Sequence, residues 1–195
     1  MDALAAKATL KRYLDVARDS LLWKLDGLSE YDVRRPMTPT ASNLLGIVKH
    51  VASVENGYLG DVFGRPSGEP LPWLDEGSGI NADMWVTPDE SRADILGLYR
   101  RTRAHSDATI EALSLDSRGE VPWWPEDRRS VTLHQILVHI TTETHRHAGH
   151  ADIIRELIDG AAGLRADGTN LPDVDAGWWE DYRATVQEAA AAFAD

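Results

Sequence analysis

The chain has 195 residues, a formal net charge of −12 and no cysteine. That length suits one domain with a substantial core. The absence of cysteine removes disulfides, thiolate metal sites and a cysteine nucleophile, and the acidic balance argues against general nucleic-acid binding, which rewards basic patches. No run of about 18 apolar residues is present, so no membrane span is expected. The opening segment contains acids and lacks a continuous apolar stretch, so it does not read as a signal peptide. Together these features suit a cytoplasmic protein.

Leu10, Leu14, Ala17, Leu21 and Leu25 recur at three- and four-residue steps and predict a first helix over 3–28, with Gly27 near its end. Pro36 and Pro39 mark the loop that follows. A second long helix is predicted over 42–63, with Leu44, Ile47, Val51, Val54, Tyr58 and Val62 as its apolar stripe. Residues 64–85, rich in Gly and Pro, are too long for a tight turn and read as an irregular crossover. Thr87-Pro88-Asp89-Glu90 resembles a helix start and predicts a third long helix over 87–115. Residues 121–131 read as a short rigid segment that forms an extended pair or caps a pocket.

The most informative stretch is 133–159. Thr132 and Gln135 form a capping-box pattern before it, and Gly160 is a plausible stop. It carries five of the seven histidines: His134, His139, His145, His147 and His150. At 100° per residue, Glu143, His147 and His150 fall within about 60° of one another. Ile136, Ile140, Ala151, Ile154 and Ile158 share that face. A carboxylate within an apolar stripe needs compensation, and a divalent ion would supply it. Glu143 and His147, four apart, can reach one ion; a helix that merely carries surface histidines is the competing reading. His134 and His145 point away, His145 roughly to the opposite side, and both are expected to be solvated. His139 lies near the core as a bystander.

His50, at the edge of the second helix's stripe, is the candidate third ligand, since Gly46, Ser53 and Gly57 beside it leave room; a lone hydrogen-bonded core histidine is the alternative. Glu55 could orient a ligand or sit in an ion pair. Arg146 could hold an anionic group, and Tyr58, Trp85, Trp123 and Trp124 could wall a pocket or simply pack. A final helix is expected from about 177, with Trp178 and Trp179 pinning it to the rest of the chain or to a second subunit. Four long helices, two joined by a long crossover, imply an all-α four-helix bundle over 1–160 with a C-terminal helical extension over 161–195.

Two stretches carry a family resemblance: MTPTASNLLGIVKHVASVENGYL and HITTETHRHAGHADIIRELIDG. They resemble the DinB-like superfamily. More closely, they are similar to the metal-binding domain of mycothiol-dependent maleylpyruvate isomerase and to related actinobacterial DinB-like proteins. The resemblance spans roughly residues 5–160. It implies a bundle of up-down-down-up order, a zinc or nickel-like divalent ion, a homodimer, and a low-molecular-weight thiol as cosubstrate. Carried over, the metal ligands are His50, Glu143 and His147, with His150 beside the metal as proton shuttle, fourth ligand or outer donor. The isomerase has a further C-terminal domain that contributes to its active site, so isomerisation itself is not expected here. The reading is a metal-dependent S-transferase that activates a thiol for attack on a small electrophile. A metal-dependent hydrolase using bound hydroxide and a non-catalytic metal- or ligand-binding bundle are the alternatives.

Overall fold

The computed structural model describes residues 2–194 and is mostly helical. Six α-helices lie among the described residues: α1 (Ala3–Leu22), α2 (Glu30–Arg34), α3 (Leu44–Leu59), α4 (Arg92–Ala112), α5 (Leu133–Asp159) and α6 (Ala176–Ala191). Two three-residue strands, β1 (Arg118–Glu120) and β2 (Ser130–Thr132), pair antiparallel with Gly119 opposite Val131. The pair flanks the 121–131 segment instead of lying within it: β1 precedes the segment and β2 overlaps its end. None of the helices is long and apolar enough to cross a membrane.

The long helices begin and end for local reasons. Asn43 caps α3 by accepting from the Gly46 N–H, and Thr132 caps α5 by accepting from Gln135. Gly160 closes α5 in the left-handed region at φ 79°, where a side chain would be strained. Three predicted boundaries are corrected. The first helix gives way after Leu22 to a 3₁₀ turn over Trp23–Leu25. The second spans Leu44–Leu59, followed by a 3₁₀ turn over Asp61–Phe63. The third starts at Arg92, not at Thr87, because Ser91 is its cap: the Ser91 hydroxyl accepts from Asp94 N–H at 3.0 Å. The Glu90 carboxylate is drawn elsewhere, accepting from Thr87 N–H at 2.8 Å and from Lys49 Nζ. The short α2, capped by Ser29, lies in what the prolines suggested was loop.

α1 packs on α5, and α3 packs on both α4 and α5. Ion pairs from Lys11 and Arg18 to Asp107 and from Arg103 to Asp19 join α1 to α4. The interior falls into two apolar clusters. Leu21, Leu44, Ile47, Val51, Leu98 and Ile154 represent one; Leu14, Leu59, Ile110, Val131, Ile136 and Ile140 represent the other. Between α1, α3 and α4 sits a fully buried guanidinium. Arg18 donates to both oxygens of Glu55, itself 1 % exposed, and to Asp15 and Asp107. These acids hold Arg18 charged despite its burial. α6 buries no residue; Trp178 stacks on Tyr182 and meets Trp179 edge-on.

Candidate metal centre

Two helices and one loop build the site. α3 presents His50 and α5 presents Glu143 and His147, one turn apart on the same face. His147 Nε2 lies 3.0 Å from Glu143 Oε1, and His50 Nε2 lies 3.6 Å from the same oxygen. The two imidazole rings meet edge to face, with centroids 4.7 Å apart. One donor atom from each of the three residues falls within 4.8 Å of the others. Bonds of about 2.0–2.2 Å to nitrogen and carboxylate oxygen give a tetrahedral edge of about 3.3–3.6 Å. The spacing of the three donors therefore fits a single divalent ion. Two neutral imidazoles and one carboxylate are also the donor chemistry that zinc sites with an open position use.

His50 is oriented by a residue that helical periodicity does not reveal. Its Nδ1 donates to Asp83 Oδ2 at 2.6 Å, which turns Nε2 and its lone pair toward Glu143. Asp83 lies in a 3₁₀ turn, Ala82–Met84, within the long crossover. The turn is held from α3. Lys49, 2 % exposed, donates to the carbonyls of Ala82 and Trp85, and Asn43 donates to the Met84 carbonyl at 3.0 Å. A Cβ on Gly46 would overlap that same Met84 carbonyl, so the close approach requires glycine. Only the loop's length, unusual for a compact domain, could have pointed to it.

The electrostatics suit ligands that must be unprotonated. Burial pushes the His147 imidazole below its ordinary value, and His50 adds to the shift against the pull of Glu143. Burial raises the Glu143 carboxyl, but His147 and His50 outweigh it and hold the group below the usual carboxylate range. Among the described residues, buried His147 Nδ1 has no hydrogen-bond partner.

The remaining candidates separate clearly. His150 is exposed, its ring centroid 5.4 Å from that of His147, and it stands outside the three-donor cluster. His139 packs on Tyr58 and Trp124 with centroids 4.6 and 5.2 Å away, the bystander position expected of it. His134 is exposed, whereas His145 is half-buried, not freely solvated. Glu55 belongs to Arg18 and orients no ligand. Arg146 is exposed. Trp123 and Trp124 both donate their indole N–H to the Tyr58 hydroxyl, at 3.1 and 2.8 Å. Trp85 is half-exposed and borders a recess shared with His50 and Asp83.

A family model described as mycothiol-S-transferase matches residues 9–160, which include every residue of this site. No curated protein matches the chain.

Proposed function

Since the chain belongs to the mycothiol-S-transferase family, we propose that it is a metal-dependent enzyme joining mycothiol, through its sulfur, to a small electrophile. His50, Glu143 and His147 hold the ion, zinc in the first instance and nickel as the alternative. The observation that carries this reading is the convergence of three donor atoms from two helices within 4.8 Å. In the same reading, residues 1–160 form a DinB-like four-helix bundle of up-down-down-up order, and 161–195 are an extension. The enzyme is a cytoplasmic homodimer.

When bound, the ion lowers the pKa of a coordinated thiol and makes thiolate available at neutral pH. The protein's own residues do the rest. Asp83 fixes the His50 tautomer and ring direction. Glu143 offsets positive charge between the two imidazoles. His150, exposed beside His147, takes the proton that the thiol loses and passes it to solvent. With no cysteine in the chain, the nucleophilic sulfur comes from the cosubstrate.

Elemental analysis of the purified protein, followed by a conjugation assay with mycothiol and a generic electrophile, tests the proposal. One divalent ion per chain is expected, with conjugation that requires both ion and thiol. His50→Ala should lose the ion. A protein that never retains a divalent ion, or a His50→Ala variant indistinguishable from the parent, would sink it. Turnover independent of thiol would point to a hydrolase instead.

A further inference from the structure

Two recesses share Asp83, the partner of His50, and their chemistry differs. One, of about 420 Å3, is bordered by Thr40, Ser42, His50, Asn81, Asp83 and Trp85 and offers hydroxyl and amide groups. The other, of about 240 Å3, is lined by Val54, Gly57, Tyr58, Leu71, Leu74 and Trp123, with Asp83 at its edge. Val54 and Gly57 follow His50 at i+4 and i+7 on α3, so the second cavity lies along the same helix face, one turn past His50, and touches the site through Asp83.

Apart from the exposed Asp61 carboxylate at its rim, the side-chain polar groups of this second cavity already have partners. The Tyr58 hydroxyl oxygen accepts both indole N–H groups. The Ser53 hydroxyl donates to the Lys49 carbonyl and accepts from Trp73 Nε1, each at 2.8 Å. The Asp83 carboxylate accepts from His50. Inside the Asp61 rim the cavity therefore has little to offer a hydroxyl-rich molecule such as mycothiol, whose hydroxyls would be desolvated without partners. Asp61 and Asp83, both bordering it, disfavour an anion. A dry apolar cavity of about 150 Å3 accepts benzene, so 240 Å3 accommodates one substituted ring. Glycine in mid-helix is a poor helix former, yet Gly57 keeps this wall open: a Cβ there would just touch Trp123, at 3.4 Å.

We propose that the cavity beside Asp83 is the electrophile subsite, taking an uncharged apolar group of about one substituted aromatic ring, while the thiol lies on the polar recess. This rests on the transferase reading, but binding tests it separately. The probe is 4-nitrobenzyl alcohol, which cannot react, followed by quenching of tryptophan fluorescence with and without metal. Quenching is expected in both states. Gly57→Leu, which fills the cavity, should weaken it at least tenfold, as should Leu74→Trp on the exposed opposite wall, where folding is not at risk. With mycothiol and 1-chloro-2,4-dinitrobenzene, a carbon–sulfur bond forms as chloride leaves and the thiol proton goes to solvent. Either variant should raise KM for the chloroarene at least tenfold and change KM for mycothiol less than twofold. A parent protein that does not bind the probe, or variants that bind it unchanged, would overturn the proposal. So would a loss confined to the thiol. Probe binding lost in both variants, with no conjugation in the parent, would support the cavity and sink the transferase reading.

Discussion

The His50 imidazole has two nitrogens with separate tasks. Nδ1 is tied to Asp83 at 2.6 Å and Nε2 faces Glu143, so the carboxylate of Asp83 selects the tautomer with its lone pair toward the site. Replacing Asp83 by Asn keeps the size but weakens that preference. Asp83→Asn should lower metal affinity about 10–100-fold, read by competition with a chromogenic chelator, with the helical content unchanged; an unaltered affinity would remove Asp83 from the design. His147 sets the acid limit. Its folded-state value is depressed, mainly by burial, so its neutral form persists below the ordinary histidine range of about 6.5. The unfolded chain then binds more protons than the folded one as pH falls from about 6.5 toward the depressed value. Apo-protein stability should decline across that window, and metal retention should be full above it and lost on passing through it. Dialysis against a pH series with elemental analysis checks this, and retention unchanged at pH 5 would count against histidine ligation. Glu143 and His147 could be read from sequence because a four-residue spacing within an apolar stripe is a geometric statement. Asp83 could not, since its position depends on hydrogen bonds from Lys49 and Asn43, far away in the chain.

Among the elements, α5 and α3 were the most legible. The α5 boundaries follow from a threonine N-cap and a terminal glycine, both local signals. The start of α4 misleads because Thr87-Pro88-Asp89-Glu90 has every local feature of a cap, while a buried lysine from α3 recruits Glu90 for another purpose. Two substitutions test how α3 organises its neighbours. Gly46→Val places branched carbon against the Met84 carbonyl. It should displace the 82–84 turn and lower metal affinity without touching any ligand, measurable by the same chelator competition. Glu55→Ala leaves Arg18 buried with only Asp15 and Asp107, both partly exposed, to balance it. Breaking a buried pair costs about 3–5 kcal/mol, and the two remaining acids put the expected loss toward the lower end, read from urea unfolding. Arg18→Met with Glu55→Leu should recover much of that loss, because the desolvation penalty vanishes with both charges.

At the scale of the whole molecule, the matched family region ends at residue 160, but the physical boundary lies further on. Trp23 Nε1 donates to the Leu164 carbonyl at 3.1 Å, Gly163 N–H donates to Asp152 at 2.9 Å, and buried Lys24 donates to the Gly163 carbonyl. Lys24 Nζ also lies 3.6 Å from the centroid of the Trp23 ring. The segment just past α5 thus closes over the end of α1. α6, in contrast, buries nothing. Such ties are not visible in composition or periodicity: residues 161–175 are rich in turn formers and show no regular apolar spacing, and Trp23 and Lys24 lie some 140 positions earlier. Two truncations separate the segments. Ending the chain at Pro172 should leave metal binding intact and shift the melting temperature by no more than about 2–4 °C, the equivalent of roughly 1 kcal/mol for a domain of this size. Ending it at Gly160 removes three hydrogen bonds, each worth about 0.5–1.5 kcal/mol net, and uncovers Trp23. That truncation should lower the melting temperature by on the order of 10 °C. Equal melting temperatures for the two truncations would place the boundary at the end of α5 and reduce the Trp23 and Lys24 contacts to surface detail.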